Sequence, residues 1–446
     1  MRIHHFFITA LAVALSACSG GSSRGGGIGM PPPQTSPPPA SKISHVVIIF
    51  QENRTPDNLF HGLPGADIAN SGLNSHGQTV PLVPVHLSGL QSPYDVDHSH
   101  RLAFVNEYNN GQMNGFDLVR INCPSDACVN PTAYGYVPPS EVAPYFTMAQ
   151  RYVFADRMFQ TNEGPSLPAH QYIIAGTSTN APGSNLLAAE NPAYKINSLN
   201  CDGSPQSTIA MIDPSGNENH LQQPCFDHPT LFDLLDAKGV SWKYYVPYAG
   251  GLWNGPDAIQ HIRMGADWGK VITPQTAIFN DIATATLPAV SWVIPTGASS
   301  DHALSTDGTG PSWVASIVNA IGNSPYWNST AIFITWDDWG GWYDHVKPPQ
   351  YNSYELGFRV PMIVISPYVK TGYVSHVQHE FGSVLHFTEA QFGLGSLGYT
   401  DARADDLADC FNFGQAPLAF QTIPAPMRAS DFLRRPPSSA PVDTDF

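Results

Sequence analysis

Thr335-Trp336-Asp337-Asp338-Trp339-Gly340-Gly341-Trp342-Tyr343-Asp344-His345 is the stretch on which the reading of this chain turns. Ile332-Phe333-Ile334 leads into it, an apolar run that reads as a buried strand. Two adjacent carboxylates then stand at the strand's C-terminal end, and two glycines release the chain. In open α/β sheets ligands bind outside the carboxyl ends of strands, and a strand end is a rigid place to hold them. Neighbouring carboxylates repel each other unless a proton or cation intervenes, so a hard metal ion is their natural partner. The same residues also read as a polar turn after a core strand. Only the rest of the chain separates the two readings.

The pattern occurs a second time. Ser44 to Phe50 (SHVVIIF) is a continuous apolar run of strand length, and it passes directly into Gln51-Glu52-Asn53-Arg54. Glu52 and Asn53 offer oxygen ligands; the alternative is a turn and N-cap for a helix over Pro56 to Phe60. Further on, Gln160-Thr161-Asn162-Glu163-Gly164-Pro165-Ser166-Leu167-Pro168-Ala169-His170 precedes a helical pattern. A Ser there reads as an N-cap. A hydroxyl at a helix N-terminus also sits in positive potential, which favours its alkoxide and a bound phosphate. Asp95-Val96-Asp97-His98-Ser99-His100 carries two His one residue apart, so one is expected to be functional and the other structural. Ser299-Ser300-Asp301-His302 follows the strand pattern Ala289 to Ile294, and His261 lies beside Arg263 on a predicted helix.

Strand and helix patterns alternate from Ser44 to Phe392, and several strands are continuously apolar. This predicts a mostly parallel sheet covered on both faces. There is no internal repeat. Thr179 to His228, rich in Asn, Gly, Pro and Ser, reads as a loop-rich insertion near 179–228 and not as core.

Arg2 and the apolar Phe6 to Leu15 predict an export signal, too short to span a bilayer as a mature helix. Leu15-Ser16-Ala17-Cys18 resembles a bacterial lipobox, which marks Cys18 for lipidation; Ser19 after it favours the outer membrane. Residues 19–42 are Gly-, Ser- and Pro-rich and read as a tether. Residues 43–446 are then one catalytic domain. The net charge is -16 and no basic stripe is visible, which argues against a nucleic-acid partner. An oxidising compartment makes Cys123–Cys128 and Cys201–Cys225 candidate disulfides and leaves Cys410 over; no Cys-x-x-Cys of zinc spacing exists.

Taken in order, Gln51-Glu52-Asn53-Arg54, Asp97-His98-Ser99-His100 with Asn109-Asn110-Gly111-Gln112-Met113, Gly164-Pro165-Ser166, Asp301-His302 and the Thr335–His345 stretch resemble the bacterial phosphoesterase family of non-specific phospholipases C and periplasmic acid phosphatases. The resemblance covers nearly all of Ser44 to Phe413. It implies the alkaline phosphatase-like α/β fold, a three-layer sandwich around a mostly parallel sheet. It also implies a metal held by Glu52, Asn53, Asp337 and Asp338, with Ser166 as nucleophile and further metal ligand. The chemistry asks for such groups: a cation offsets phosphate charge and activates the hydroxyl, and a phosphoseryl intermediate divides the hydrolysis into two steps. His302 is the first choice to protonate the leaving oxygen, with His98 or His100 second; the family's His-Ser position favours His98. His345 is expected to bind phosphate or to anchor Asp344, and His261 to be catalytic or structural. Oxygen ligands point to Ca²⁺, Mg²⁺ or Mn²⁺, whereas the related fold often uses zinc.

The expected enzyme is a phosphoric ester hydrolase of acid phosphatase type. Phospholipase C is the alternative, and a non-catalytic surface lipoprotein of the same fold is a third reading. Family phospholipases C carry an additional C-terminal β-rich part, so the end of this chain at Phe446 favours the monoesterase. The expected partners are a small phosphoester or a phospholipid, and the membrane through the lipid anchor.

Overall fold

β1 (His45–Gln51) lies inside an eight-stranded sheet, between two strands parallel to it. The computed structural model describes residues 41–124, 128–192 and 200–438. The predicted signal, Cys18 and nearly all of the tether lie outside those residues. The described residues from Ser41 to Ser438 belong to one unit.

The other strands of the sheet are β2 (Val153–Ala155), β3 (Trp242–Tyr245), β4 (Val271–Ile272), β5 (Val290–Val293), β6 (Thr330–Trp336), β7 (Met362–Ile365) and β8 (Tyr373–Ser375). Their order is β4-β3-β5-β1-β6-β7-β2-β8. All run in one direction except β7, which is antiparallel to both β6 and β2. Continuous apolarity predicted β7 well as a buried strand, but it carries no direction. Both faces of any inner strand are covered, whichever way it runs.

Helices cover the two faces. On one side lie α4 (Ser166–Ala175), α5 (Leu231–Lys238) and α8 (Phe381–Phe392). Phe50 of β1 meets Phe381 at 5.3 Å between ring centroids, and Phe333 of β6 meets Phe387 at 5.0 Å. On the other side lie α3 (Ala143–Arg151), α6 (Ala277–Ala283) and α7 (Gly310–Gly322). There Trp336 packs on Tyr145 at 5.1 Å, and Phe279 on Trp313 at 5.7 Å. Phe333 and Trp336 are three residues apart and so point to opposite layers, as the period of two in a strand requires. The result is the expected three-layer α/β sandwich.

Two short helices enter from loops: α1 (Pro56–Leu59) and α2 (Val105–Tyr108), the latter continuing a π turn over His100–Phe104. Thr55 caps α1 by accepting from the Asn58 amide. Helix formation after β1 therefore does not use Glu52 or Asn53. The insertion read as loop contains a small antiparallel sheet, with Leu187–Ala188, Ile209–Ile212 and His220–Gln222 side by side. Ile209, Met211 and Ile212 are buried, and the Cys201–Cys225 disulfide ties this segment. A second disulfide joins Cys123 to Cys128, and Cys410 is a buried free thiol.

Candidate metal centre and nucleophile

β1 and β6 run parallel in a register that pairs Gln51 with Trp336. The two residues that follow each strand therefore emerge side by side at the carboxyl edge of the sheet. Glu52, Asn53, Asp337 and Asp338 are all fully buried there. The Asn53 amide N–H donates to Asp337 Oδ1 at 2.9 Å, and Asn53 Nδ2 donates to Asp338 Oδ1 at 3.0 Å. Asn53 adopts a left-handed backbone (φ 62), which Asn tolerates better than most residues. Gly340 donates its amide to the same Asp338 Oδ1 at 2.7 Å, and it too is left-handed (φ 63). A Cβ at Gly340 would stand 2.4 Å from the Asn53 carbonyl oxygen, and one at Gly341 2.5 Å from that of Asp97. The two glycines let the loop pass directly beneath both polar segments.

Ser166 is the first residue of α4 and not its cap: Pro165 holds the cap position, and no side chain caps the helix. The hydroxyl instead points at Asp338, with Oγ 3.3 Å from Oδ2. The Ser166 side chain therefore does not serve as the N-cap of α4.

His170 lies one turn further along α4, on the same face as Ser166. Its Nε2 is 3.2 Å from Glu52 Oε1. One ligand atom from each of Glu52, His170 and Asp337 lies within 4.8 Å of the other two. Burial lowers the His170 pKa to about 4, so the ring is neutral and can offer a lone pair. The sequence motif around Ser166 contains His170 but does not by itself mark it as a ligand. The i, i+4 spacing from Ser166 was the signal that pointed to it.

This donor set fits a divalent cation. Asn53 Oδ1 and Asp337 Oδ2 are buried without a hydrogen-bond partner, a costly arrangement that an ion at this cage relieves. Several buried carboxylates around one point likewise call for positive charge.

The histidines divide into two groups. His98 and His302 stand together at the cage, with ring centroids 5.8 Å apart. His98 Nε2 lies 3.1 Å from Asn53 Nδ2. Both rings are pinned alike: Nδ1–H donates to a main-chain carbonyl, Val96 O at 2.8 Å for His98 and Ala303 O at 2.6 Å for His302. That bond fixes the tautomer and directs proton exchange to Nε2. Trp253 packs on His302 at 5.9 Å, and Trp339 lies edge-on to His98 at 6.3 Å.

The other candidate histidines, His100, His345 and His261, are held by other partners. Both nitrogens of His100 face carboxylates, Glu218 at Nδ1 and Glu163 at Nε2. Burial lowers its pKa, but those two carboxylates outweigh burial and push it up to about 9. His345 uses Nδ1 on Asp57 at 2.7 Å and Nε2 on Asp67 at 3.0 Å. Beside it Asp344 holds the buried Arg359 guanidinium at 2.6 Å. This is an ion cluster that braces the loop, so the catalytic role expected for His345 does not fit its surroundings. His261 bridges Asp227 and Asp233 at the surface. Asp301 lies beneath the site, where its carboxylate accepts from Tyr145 at 2.8 Å and Trp336 at 3.0 Å.

A family model described as the Phosphoesterase family matches residues 43–395. Phospholipase C A of Mycobacterium tuberculosis is 26% identical over 426 residues, which cover 84% of this chain and 78% of that protein. Non-hemolytic phospholipase C of Pseudomonas aeruginosa is 24% identical, over 83% of this chain and 57% of that protein. Among solved structures, an alkaline phosphatase superfamily protein from Vibrio parahaemolyticus aligns with a TM-score of 0.37 and 10% identity, over 82% of this chain and 71% of that one.

Proposed function

The chain belongs to the phosphoesterase family and is a phosphoric ester hydrolase, and from that premise we propose that it works through a phosphoseryl intermediate on Ser166. The observation that carries the proposal is the Ser166 hydroxyl at the start of α4, 3.3 Å from Asp338 and beside the Glu52-Asn53 and Asp337-Asp338 strand ends. Glu52, Asn53, Asp337, Asp338 and Ser166 would hold one divalent ion, and His170 is a further candidate. Such an ion, when bound, offsets the phosphate charge and lowers the pKa of the hydroxyl.

The chain's own residues supply the rest. Ser166 Oγ forms a bond to phosphorus as the ester oxygen leaves on the opposite side. Asp338 Oδ2 is the acceptor toward which the Ser166 proton points. His302 Nε2 delivers a proton to the departing alcohol, and His98 Nε2, accepting from Asn53 Nδ2, holds the Asn53 side chain in place at the cage. In the second step water attacks phosphorus and gives its proton to His302, while the Ser166 oxygen leaves and takes back its proton from Asp338. The full burial of these groups excludes bulk water from the reacting centre.

For the substrate, the relatives' names favour phospholipase C action on a phospholipid diester. The monoesterase expected from the sequence uses the same groups and differs only in the leaving alcohol and the pocket rim. Comparing turnover of p-nitrophenyl phosphate with that of p-nitrophenyl phosphorylcholine, with and without chelator, tests both. Faster turnover of the choline ester, lost with chelator, is expected for phospholipase C; the reverse ratio selects the monoesterase. Absent or chelator-resistant turnover of both removes the metal-dependent mechanism.

Export and anchoring at Cys18 belong to the proposal and rest on the N-terminal sequence pattern. Among the described residues no helix is long and apolar enough to cross a membrane. Cys18→Ala should release the protein from the membrane fraction, and retention there would contradict a lipid anchor.

A further inference from the structure

A second buried cluster joins three segments of the chain. His100 opens the π turn that leads into α2. Glu163 stands three residues before Ser166. Glu190 and Glu218 come from the insertion, Glu190 just after Leu187–Ala188 and Glu218 just before His220–Gln222. His100 is 6% exposed and Glu163 2% exposed, and only 7% of the Glu218 side chain is exposed.

The geometry around the His100 ring is directional. Its Nε2 faces Glu163 Oε2 at 3.4 Å, and Gln350 holds the other Glu163 oxygen at 2.6 Å. A carboxylate behind one ring nitrogen holds a proton there, so an ion that displaces the proton on the other nitrogen finds a lone pair facing it, as in carboxylate–histidine–metal relays. That other nitrogen, Nδ1, meets Glu218. Glu190 closes the third side, accepting from the Arg101 amide at 2.9 Å and the His100 amide at 3.3 Å. One ligand atom from each of His100, Glu190 and Glu218 lies within 4.8 Å of the other two. Glu218 Oε2 is buried without a hydrogen-bond partner. Two carboxylates that converge on His100 Nδ1 need positive charge between them, from a proton on that nitrogen or from an ion that replaces it.

We propose that His100, Glu190 and Glu218 form a second divalent-cation site, separate from the Glu52–Asp338 cage, with Glu163 orienting His100 from behind. One imidazole with two carboxylates suits Mn²⁺ or Zn²⁺ better than the all-oxygen preference of Ca²⁺. The ion clamps the insertion to the turn that follows His98 and, through Glu163, to the loop that leads into Ser166. The rival occupant is a proton shared between His100 and Glu218.

The test counts ions. Full-length protein is stripped with chelator, offered Mn²⁺ or Zn²⁺ separately, desalted, and measured for metal per chain and for Tm. Asp337→Asn disables the catalytic cage and should still retain one ion per chain with at least one of the metals, with a raised Tm. Adding Glu218→Gln, which keeps size and hydrogen bonding, should remove that ion and the Tm response. Wild type binding a single ion, lost with Glu218→Gln and kept with Asp337→Asn, would support this site while removing the catalytic one. An Asp337→Asn protein that binds neither metal, or whose bound metal is unchanged by Glu218→Gln, overturns the proposal in favour of the shared proton.

Discussion

Replacing Gly340 by Ala tests the link between the loop's backbone and the chemistry above it. The new Cβ would stand 2.4 Å from the Asn53 carbonyl oxygen and 2.6 Å from its Cβ, where ordinary contact begins at 3.4 Å. Something must therefore move by about 1 Å. Asn53 cannot yield freely: its amide is held by Asp337, and the next amide, Arg54 N, by the Asp338 carbonyl at 3.0 Å. The displacement passes into the cage. A left-handed Ala costs about 1 kcal/mol and the contact a further ~1–3 kcal/mol, so stability falls by about 2–4 kcal/mol. In a chain of this size that lowers Tm by only about 5 °C. A misplacement of about 1 Å at reacting groups costs about 100-fold in rate. Gly393→Ala is the matched control: it is also left-handed (φ 59), at the end of α8, but a Cβ there meets nothing within 4 Å. It should lose about 1 kcal/mol and keep its activity. The assay is kcat/KM on the better p-nitrophenyl ester, with thermal melts of both variants. Equal activities in the two variants, or a loss at Gly340 explained by the unfolded fraction alone, would refute the reasoning.

Two further outcomes follow from the same geometry. His345→Gln should lower Tm by breaking the Asp57–His345–Asp67 bridge, at a cost of about 1 kcal/mol, and leave kcat nearly unchanged; a large loss of kcat with Tm preserved would return His345 to the reacting groups. Burial lifts the Asp301 carboxyl to about 6, although Arg54, Tyr145 and Trp336 pull it down. Its folded pKa lies above its unfolded value, so its contribution is complete below about pH 4 and is lost as pH rises through about 6. Asp301→Asn should therefore gain relative to wild type by about 2 kcal/mol between pH 4 and pH 7, read from denaturant unfolding. A difference that stays constant with pH would show that Asp301 is not held protonated.

The strand-end motifs were legible because their signal is local: an apolar run and its polar terminus are neighbours in sequence. Parallel pairing of β1 with β6 then brings Glu52-Asn53 to Asp337-Asp338; alternation of strands and helices predicts the parallel direction but not that these two strands are neighbours. What was not legible depends on distant partners. Choosing between His98 and His100 needs Glu218 and Glu190, which lie beyond α4 in a segment read as loop. The bracing of His345 needs Asp57 and Asp67, from the other end of the domain. Whether Ser166 caps α4 or begins it depends on a single residue's backbone, and helix signals do not fix boundaries that closely. The direction of β7 was hidden because burial on both faces looks the same in either sense.

The claim on which everything else depends is that Ser166 carries the phosphoryl group. Acid quench of the enzyme during turnover, followed by peptide mass spectrometry, tests it directly. The account predicts a covalent adduct on Ser166, a bare phosphoryl group from a monoester or a phosphorylated head group from a diester, and no adduct in Ser166→Ala. An adduct on another residue, or a Ser166→Ala variant that still turns over substrate, would contradict it.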